Sequence, residues 1–181
     1  MQDRAAQFGE AYERYSDELF RHASLRLSDR DRALELTQEA FLKTWDYMQQ
    51  GGEIRDVRPF LYRTLHNLII DEYRRRKPVS LEAMAEKVGE DGGGVEALLP
   101  ADDSNSLEAA IERFDGARAL DALKQLPDSY REVVSMRYVD SLSPKEIAEA
   151  IGETENAVSV RIHRGLKKLK DLLEPAGEQS A

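Results

Sequence analysis

There is no cysteine among the 181 residues. That excludes disulfides, thiolate metal sites and thiol nucleophiles together, and it makes the cytoplasm the expected compartment. Long apolar runs are also missing. None approaches the roughly 18 residues a spanning helix needs, and Met1-Gln2-Asp3-Arg4-Ala5-Ala6 leads directly into an amphipathic segment with no apolar signal core. Neither export nor membrane insertion of its own is expected. Glycine and proline are scarce outside one stretch, which holds Gly89, Gly92, Gly93, Gly94 and Pro100. With 41% hydrophobic and 34% charged residues the chain has the composition of a folded globular protein.

Positive charge is in deficit overall, with a formal net charge of -9, yet it is concentrated. Residues 54 to 78 carry a net +4 and residues 154 to 173 a net +3, whereas residues 79 to 118 carry -7. Binding to phosphate depends on local fields, so two basic islands in acidic surroundings remain compatible with nucleic-acid contact.

Apolar residues at helical spacing predict helices near 5–27, 30–49 and 57–76. The stretch from Val79 to Ser106 has the composition of a mobile tether, with Leu81, Met84 and Val88 able to form a short docking turn. Beyond it, Ile111, Phe114, Ala117, Leu120 and Leu123 share one helix, and Tyr130, Val133, Val134, Arg137 and Tyr138 another. Ser143-Pro144-Lys145-Glu146 reads as a capping box with proline at the first helical position. The helix it opens ends at Gly152, and Thr154 caps a long basic helix to about Leu173. The expected fold is therefore all-α, with two small helical domains joined by a flexible acidic linker and a helix-turn-helix in the second. The boundaries are 1–78, 79–106 for the linker, 107–174, and 175–181 for a tail.

Three constellations stand out. Ala148, Gly152 and Val158 occupy the small, turn and core positions of a helix-turn-helix, where close crossing forbids bulk. The face opposite the apolar stripe of Val158, Ile162, Leu166, Leu169 and Leu173 carries Asn156, Val160, His163 and Lys167, flanked by Ser159, Arg164 and Lys168. These supply donors for phosphates and bases, although a solvated lysine-rich face on a bundle has the same pattern. The second constellation is Arg74-Arg75-Arg76-Lys77 behind Arg63 and Asn67. Four adjacent cations exceed what a helix C-terminus needs, and with Tyr62 they suit a nucleic-acid backbone and unstacked bases. In the third, Glu35, Gln38, Glu39, Leu42 and Asp46 face outward from the second helix. A leucine ringed by polar groups fits a protein-docking patch, and equally a solvated face with one stray leucine. Nothing marks an enzyme: His22, His66 and His163 lie in separate segments, with no nucleophile motif, metal pair or phosphate-binding glycine loop. No metal or cofactor is expected, and Trp45 and the methionines read as core.

In this order the three constellations resemble the extracytoplasmic function sigma factors of bacterial RNA polymerase, in the sigma-70 family, over nearly the whole chain. Glu35 to Trp45 is similar to the segment that docks on the clamp helices of the polymerase's largest subunit. Leu61-Tyr62-Arg63 with Asn67, Asp71 and the arginine cluster is similar to the promoter-melting segment. Leu126 to Val133 and Ser143 to Arg164 resemble the domain that reads the minus-35 element. The resemblance implies core polymerase, promoter DNA and an anti-sigma factor as partners. It places a loop for a flipped minus-10 base at Gly51 to Arg58, which brings in Arg55 and Asp56. This chain departs from the family at Phe60, His66, Ala157, Ser159 and Val160. The readings outside this family are a helix-turn-helix regulator that binds DNA alone and a helical module that binds polymerase without directing initiation.

Overall fold

In the computed structural model the described residues are 2–76 and 115–174, together with Ala109 and Glu112. The expected linker 79–106, the tail 175–181, Lys77, Ile111 and Phe114 lie outside them. The described elements are helices: α1 Gln2–Arg26, α2 Arg30–Gln49, α3 Val57–Arg76, α4 Gly116–Gln125, α5 Asp128–Val134, α6 Pro144–Ile151 and α7 Glu155–Leu173. None is long and apolar enough to cross a membrane.

The first three helices pack on one another around Leu19, Leu36, Leu61, Leu65 and Ile69, each at most 1% exposed. Burying a side chain of this size is worth roughly 1.5–3 kcal/mol over leaving it in water. Ala33, Thr37, Ala40, Phe41, Thr44 and Met48 form the inner face of α2, as the apolar spacing predicts. The Asp29 carboxylate starts that helix by accepting from the Arg32 backbone amide at 3.0 Å, a cap worth about 1 kcal/mol. Trp45 is half-buried, its ring 5.0 Å from that of Phe8.

In the second half α7 is the central element, packed against α4, α5 and α6 through Val158, Ile162, Leu166, Leu169 and Leu173. Gly165 lies where α7 packs closely against α5. A Cβ there would lie 2.6 Å from Val134 Cγ2, and Val134 is itself stiff and buried. One difference from the sequence reading follows α5. The chain continues into a π-helical turn, Ser135–Val139, in which the Asp140 amide donates to the Ser135 carbonyl at 3.0 Å. The residue this inserts turns Met136 fully inward and leaves Tyr138 40% exposed, off the buried face on which the helical periodicity places it.

The two halves meet. α3 packs against α6, and α1 touches α5 and the π turn, so their buried apolar residues form one continuous cluster.

Candidate nucleic-acid interface

The turn between α6 and α7 is built by local chemistry. The Ser143 hydroxyl accepts from the Glu146 amide at 3.2 Å while the Glu146 carboxylate accepts from the Ser143 amide at 2.7 Å, closing the predicted capping box. Gly152 ends α6 with φ +72°, a left-handed conformation in which a Cβ is strained. Both Gly152 and Glu153 donate to the Ala148 carbonyl, at 2.9 and 3.1 Å. Thr154 then caps α7 by accepting from the Ala157 amide. Arg161, on the first half of α7, is held by Glu153 at 2.5 Å and so braces the turn.

The outer face of α7 is as expected. Asn156, Arg164, Lys167 and Lys168 are exposed, and Ser159, Val160 and His163 are half-buried. Two of these have local roles as well. The Ser159 hydroxyl donates to the Glu155 carbonyl at 3.0 Å, and the Lys168 ammonium lies 5.3 Å from the centre of the Tyr130 ring.

On α3, Arg63, Asn67, Asp71 and Arg74 follow one exposed row at helical spacing, with Arg75 exposed beside it. Arg74 reaches Asp71 at 3.5 Å. Arg76 differs from its neighbours: it bonds Glu72 at 2.8 Å and approaches Asp29 at 3.7 Å. Glu72 also accepts from Arg32 at 2.8 Å, and the hydrogen bonds from Arg32 and Arg76 hold its carboxyl below the usual range. In the loop, Arg55 is exposed beside a hollow lined by Arg4, Gln7, Met48, Gly52 and Ile54. The Asp56 carboxylate accepts from the Arg58 amide at 3.2 Å and so starts α3.

The outward residues of α2 form a third surface. Leu42 is 62% exposed, Glu35 and Gln38 are exposed and Glu39 is half-buried. Glu35 pairs with Arg32 at 2.7 Å and Glu39 with Lys43 at 3.7 Å, both along the helix surface where such pairs are worth little.

The Sigma-70 region 2 family matches residues 11–79, which contain α2 and α3, and the Sigma-70 region 4 family matches residues 117–169, which contain the helix-turn-helix. The chain belongs to the sigma-70 family, of the extracytoplasmic function type. It is 29% identical over 166 residues to the ECF RNA polymerase sigma factor SigW of Bacillus subtilis, a match covering 92% of this chain and 88% of that protein. It is 30% identical over 174 residues to SigE of Mycolicibacterium smegmatis, covering 95% of this chain and 63% of that one. Among solved structures, the sigma factor RpoE of Bartonella quintana shares the fold with a TM-score of 0.64, at 22% identity over 92% of this chain and 96% of its own. The protein is an alternative sigma factor with a role in transcription initiation.

Sequence reasoning missed a set of polar residues where the two halves of this sigma factor meet. Arg26, at the end of α1, is 3% exposed and bonds Asp128 at 2.7 Å and Glu132 at 2.5 Å. His66 lies 2.5 Å from Glu132. Burial opposes ionisation of Glu132, but the charge of Arg26 and the hydrogen bond from His66 outweigh it and pull the carboxyl down to about 2. The same two carboxylates raise the Arg26 guanidinium above its ordinary value despite its burial. Nearby, His22 Nδ1 bonds Asp140 at 3.0 Å with both side chains fully buried. Arg58 reaches Glu18 at 2.8 Å and donates to the Asp140 carbonyl. The available signal was positional: His22 and Arg26 stand at helical spacing beside Leu19 and Ala23, on a stripe where a charge needs a partner.

Proposed function

We propose that this sigma factor binds core RNA polymerase and directs initiation at promoters by recognising minus-10 and minus-35 elements and aiding strand opening. In this reading residues 1–78 form the domain that docks on polymerase and handles the minus-10 region. Residues 79–106 tether it to the minus-35 domain, 107–174, and 175–181 are a tail. Glu35, Gln38, Glu39 and Leu42 meet the polymerase. Arg55, Arg63, Asn67, Arg74, Arg75, Arg76 and Lys77 face the melting region, with Asp56 shaping the loop. Asn156, Ser159, Val160, His163, Arg164, Lys167 and Lys168 face the minus-35 element. An anti-sigma protein is a further expected partner, and the solved relative RpoE is in complex with the anti-sigma factor NepR.

The observation that carries this reading is the presence of two exposed cationic rows, one on α3 and one on α7 behind a well-formed helix-turn-helix, on two separately matched halves. Each row alone would bind weakly, and linkage through one chain supplies effective concentration. Run-off transcription on genomic fragments with core polymerase and this protein tests it, with discrete transcripts that depend on both components as the expected result. A DNA-binding regulator would bind duplex without adding initiation, and that outcome would remove the proposal.

A further inference from the structure

The aromatic group that the sequence places beside the α3 cations, Tyr62, is fully buried, and its hydroxyl donates to Glu18 at 3.0 Å. Its ring is therefore closed to nucleic acid. Tyr47, near the end of α2, is 43% exposed. The other exposed aromatic side chains among the described residues, Tyr12 and Tyr138, lie on α1 and in the π turn of the second half. Tyr47 is pinned from two sides. Its ring centre lies 5.0 Å from that of Phe60 with the planes inclined by 33°, within the range of ring stacking. The same ring covers Gly52, where a Cβ would collide with Cε1, Cδ1 and Cζ, so a residue without a side chain is what admits it. The Gly52 amide fixes that approach by donating to the Tyr47 carbonyl at 2.9 Å. A ring held in this way has little freedom left to lose when something binds it.

The pair stands at the head of the exposed row on α3. Phe60, half-buried beneath Tyr47, opens that row, and Arg63, Asn67, Asp71 and Arg74 follow it at helical spacing. Arg63 is about 4.5 Å and Asn67 about 10 Å farther along the axis at 1.5 Å per residue. Charge decides what the ring can hold. Asp46 and Glu53, both exposed, flank Tyr47 on α2 and Gly52 in the loop, and they oppose a phosphate at this point. The exposed cations on either side are Arg55 in the loop and Arg63 on α3. A flat neutral group joined to phosphates a few ångströms away fits this pattern, and an unstacked nucleobase in a single strand is such a group.

We propose that Tyr47, backed by Phe60 and Gly52, is a stacking platform for one unpaired base of the opened strand, with Arg63 and Asn67 holding the adjoining backbone. The inference rests on the sigma reading above. It adds to that reading a residue of α2, the helix otherwise assigned to polymerase docking, and it gives the α3 row the aromatic surface that Tyr62 does not supply.

The test uses the full chain and two labelled probes, a short single-stranded oligodeoxynucleotide of mixed sequence and an abasic strand of the same length. Both carry the same phosphates, so the ratio of their affinities reports contacts to bases. By fluorescence anisotropy at low salt the parent should prefer the strand with bases by about tenfold, the size of one stacked base. Tyr47→Leu, which keeps an apolar cover over Gly52, should lower that ratio most of the way to one, and Tyr47→Phe should preserve it. Should the leucine variant melt, Tyr47→Met serves in its place. Binding of the abasic strand, and its salt slope, should be alike in every variant, because the phosphate contacts are untouched. Equal affinity of the parent for the two strands, or a ratio unmoved by loss of the ring, would overturn the platform. Polymerase is not needed for this measurement. A ratio that falls as expected beside a failed run-off assay would leave Tyr47 as a base-stacking residue and remove the sigma reading, whereas normal run-off with an unmoved ratio would do the reverse.

Discussion

The Arg26 guanidinium at the end of α1 meets the Glu132 carboxylate on α5 at 2.5 Å, with both side chains nearly inaccessible to water. The residues are 106 positions apart in the chain, and neither finds this partner within its own half. The pair joins two helical bodies that are matched separately as family regions, so its chemistry governs how they are held.

The pH dependence of stability follows from Glu132. Its carboxyl is held near 2 in the folded protein against an ordinary value of 4.5, so its contribution is fully present above about pH 4.5 and is lost as pH falls through 2. Thermal melts of the parent and of Glu132→Gln should therefore differ most above pH 5 and converge toward pH 2. A gap that stayed constant over that range would show that the carboxylate's charge is not what stabilises the seam.

Leu42 tests the docking surface. Glu39→Lys with Leu42→Ala should weaken co-purification with core polymerase by tenfold or so, since a central exposed anchor of this kind typically contributes 1 to 2 kcal/mol and a reversed charge opposes encounter. Helicity should hold, because both side chains point away from the core. Undiminished co-purification at moderate salt would reject this face.

The arginines closing α3 should separate into two behaviours. Arg75→Ala should weaken promoter complexes alike across sequences and lower the salt slope by roughly 0.9, one phosphate contact. Arg76→Ala should also cost folding stability, as it removes one of the two arginines paired with Glu72 and a cation near Asp29. Asn67→Ala, on the exposed row, should impair opening more than closed binding, with reduced permanganate reactivity as the readout. Equal urea midpoints for the two arginine variants would contradict the distinction.

On α7, residues nearest the N-terminus should read bases and those beyond should hold phosphates. Asn156→Ala and Val160→Ser should change the minus-35 sequence recovered from randomised DNA, since a base-reading contact is worth about 1 to 3 kcal/mol at one position. Lys167→Ala should lower affinity without changing the motif. Recovery of one motif from all three variants would displace the reading from this face.

Most of the local architecture was legible from the chain alone, because it depends on neighbours in sequence. The capping box at Ser143 and Glu146, the left-handed Gly152 and the inner stripes of α2 and α7 are set by helical periodicity and by side chains three or four residues away. The exposed rows on α3 and α7 followed from the same periodicity. The π turn after Val134 did not, since one inserted residue leaves no compositional mark and becomes visible only in the i to i+5 hydrogen bond. Gly165 was likewise an unremarked glycine until α5 was placed against it.

Helix positions, exposed cationic faces and family membership were thus determined by sequence, through interactions whose partners lie within a turn or two of each other. Tertiary structure decided that His22, Arg26 and His66 form one side of a seam whose carboxylates come from α5 and the turn after it. The reason is electrostatic: the charge of Arg26 in a dry site is tolerated only beside its counter-charge, and the Glu132 carboxylate that supplies it lies 106 positions away along the chain.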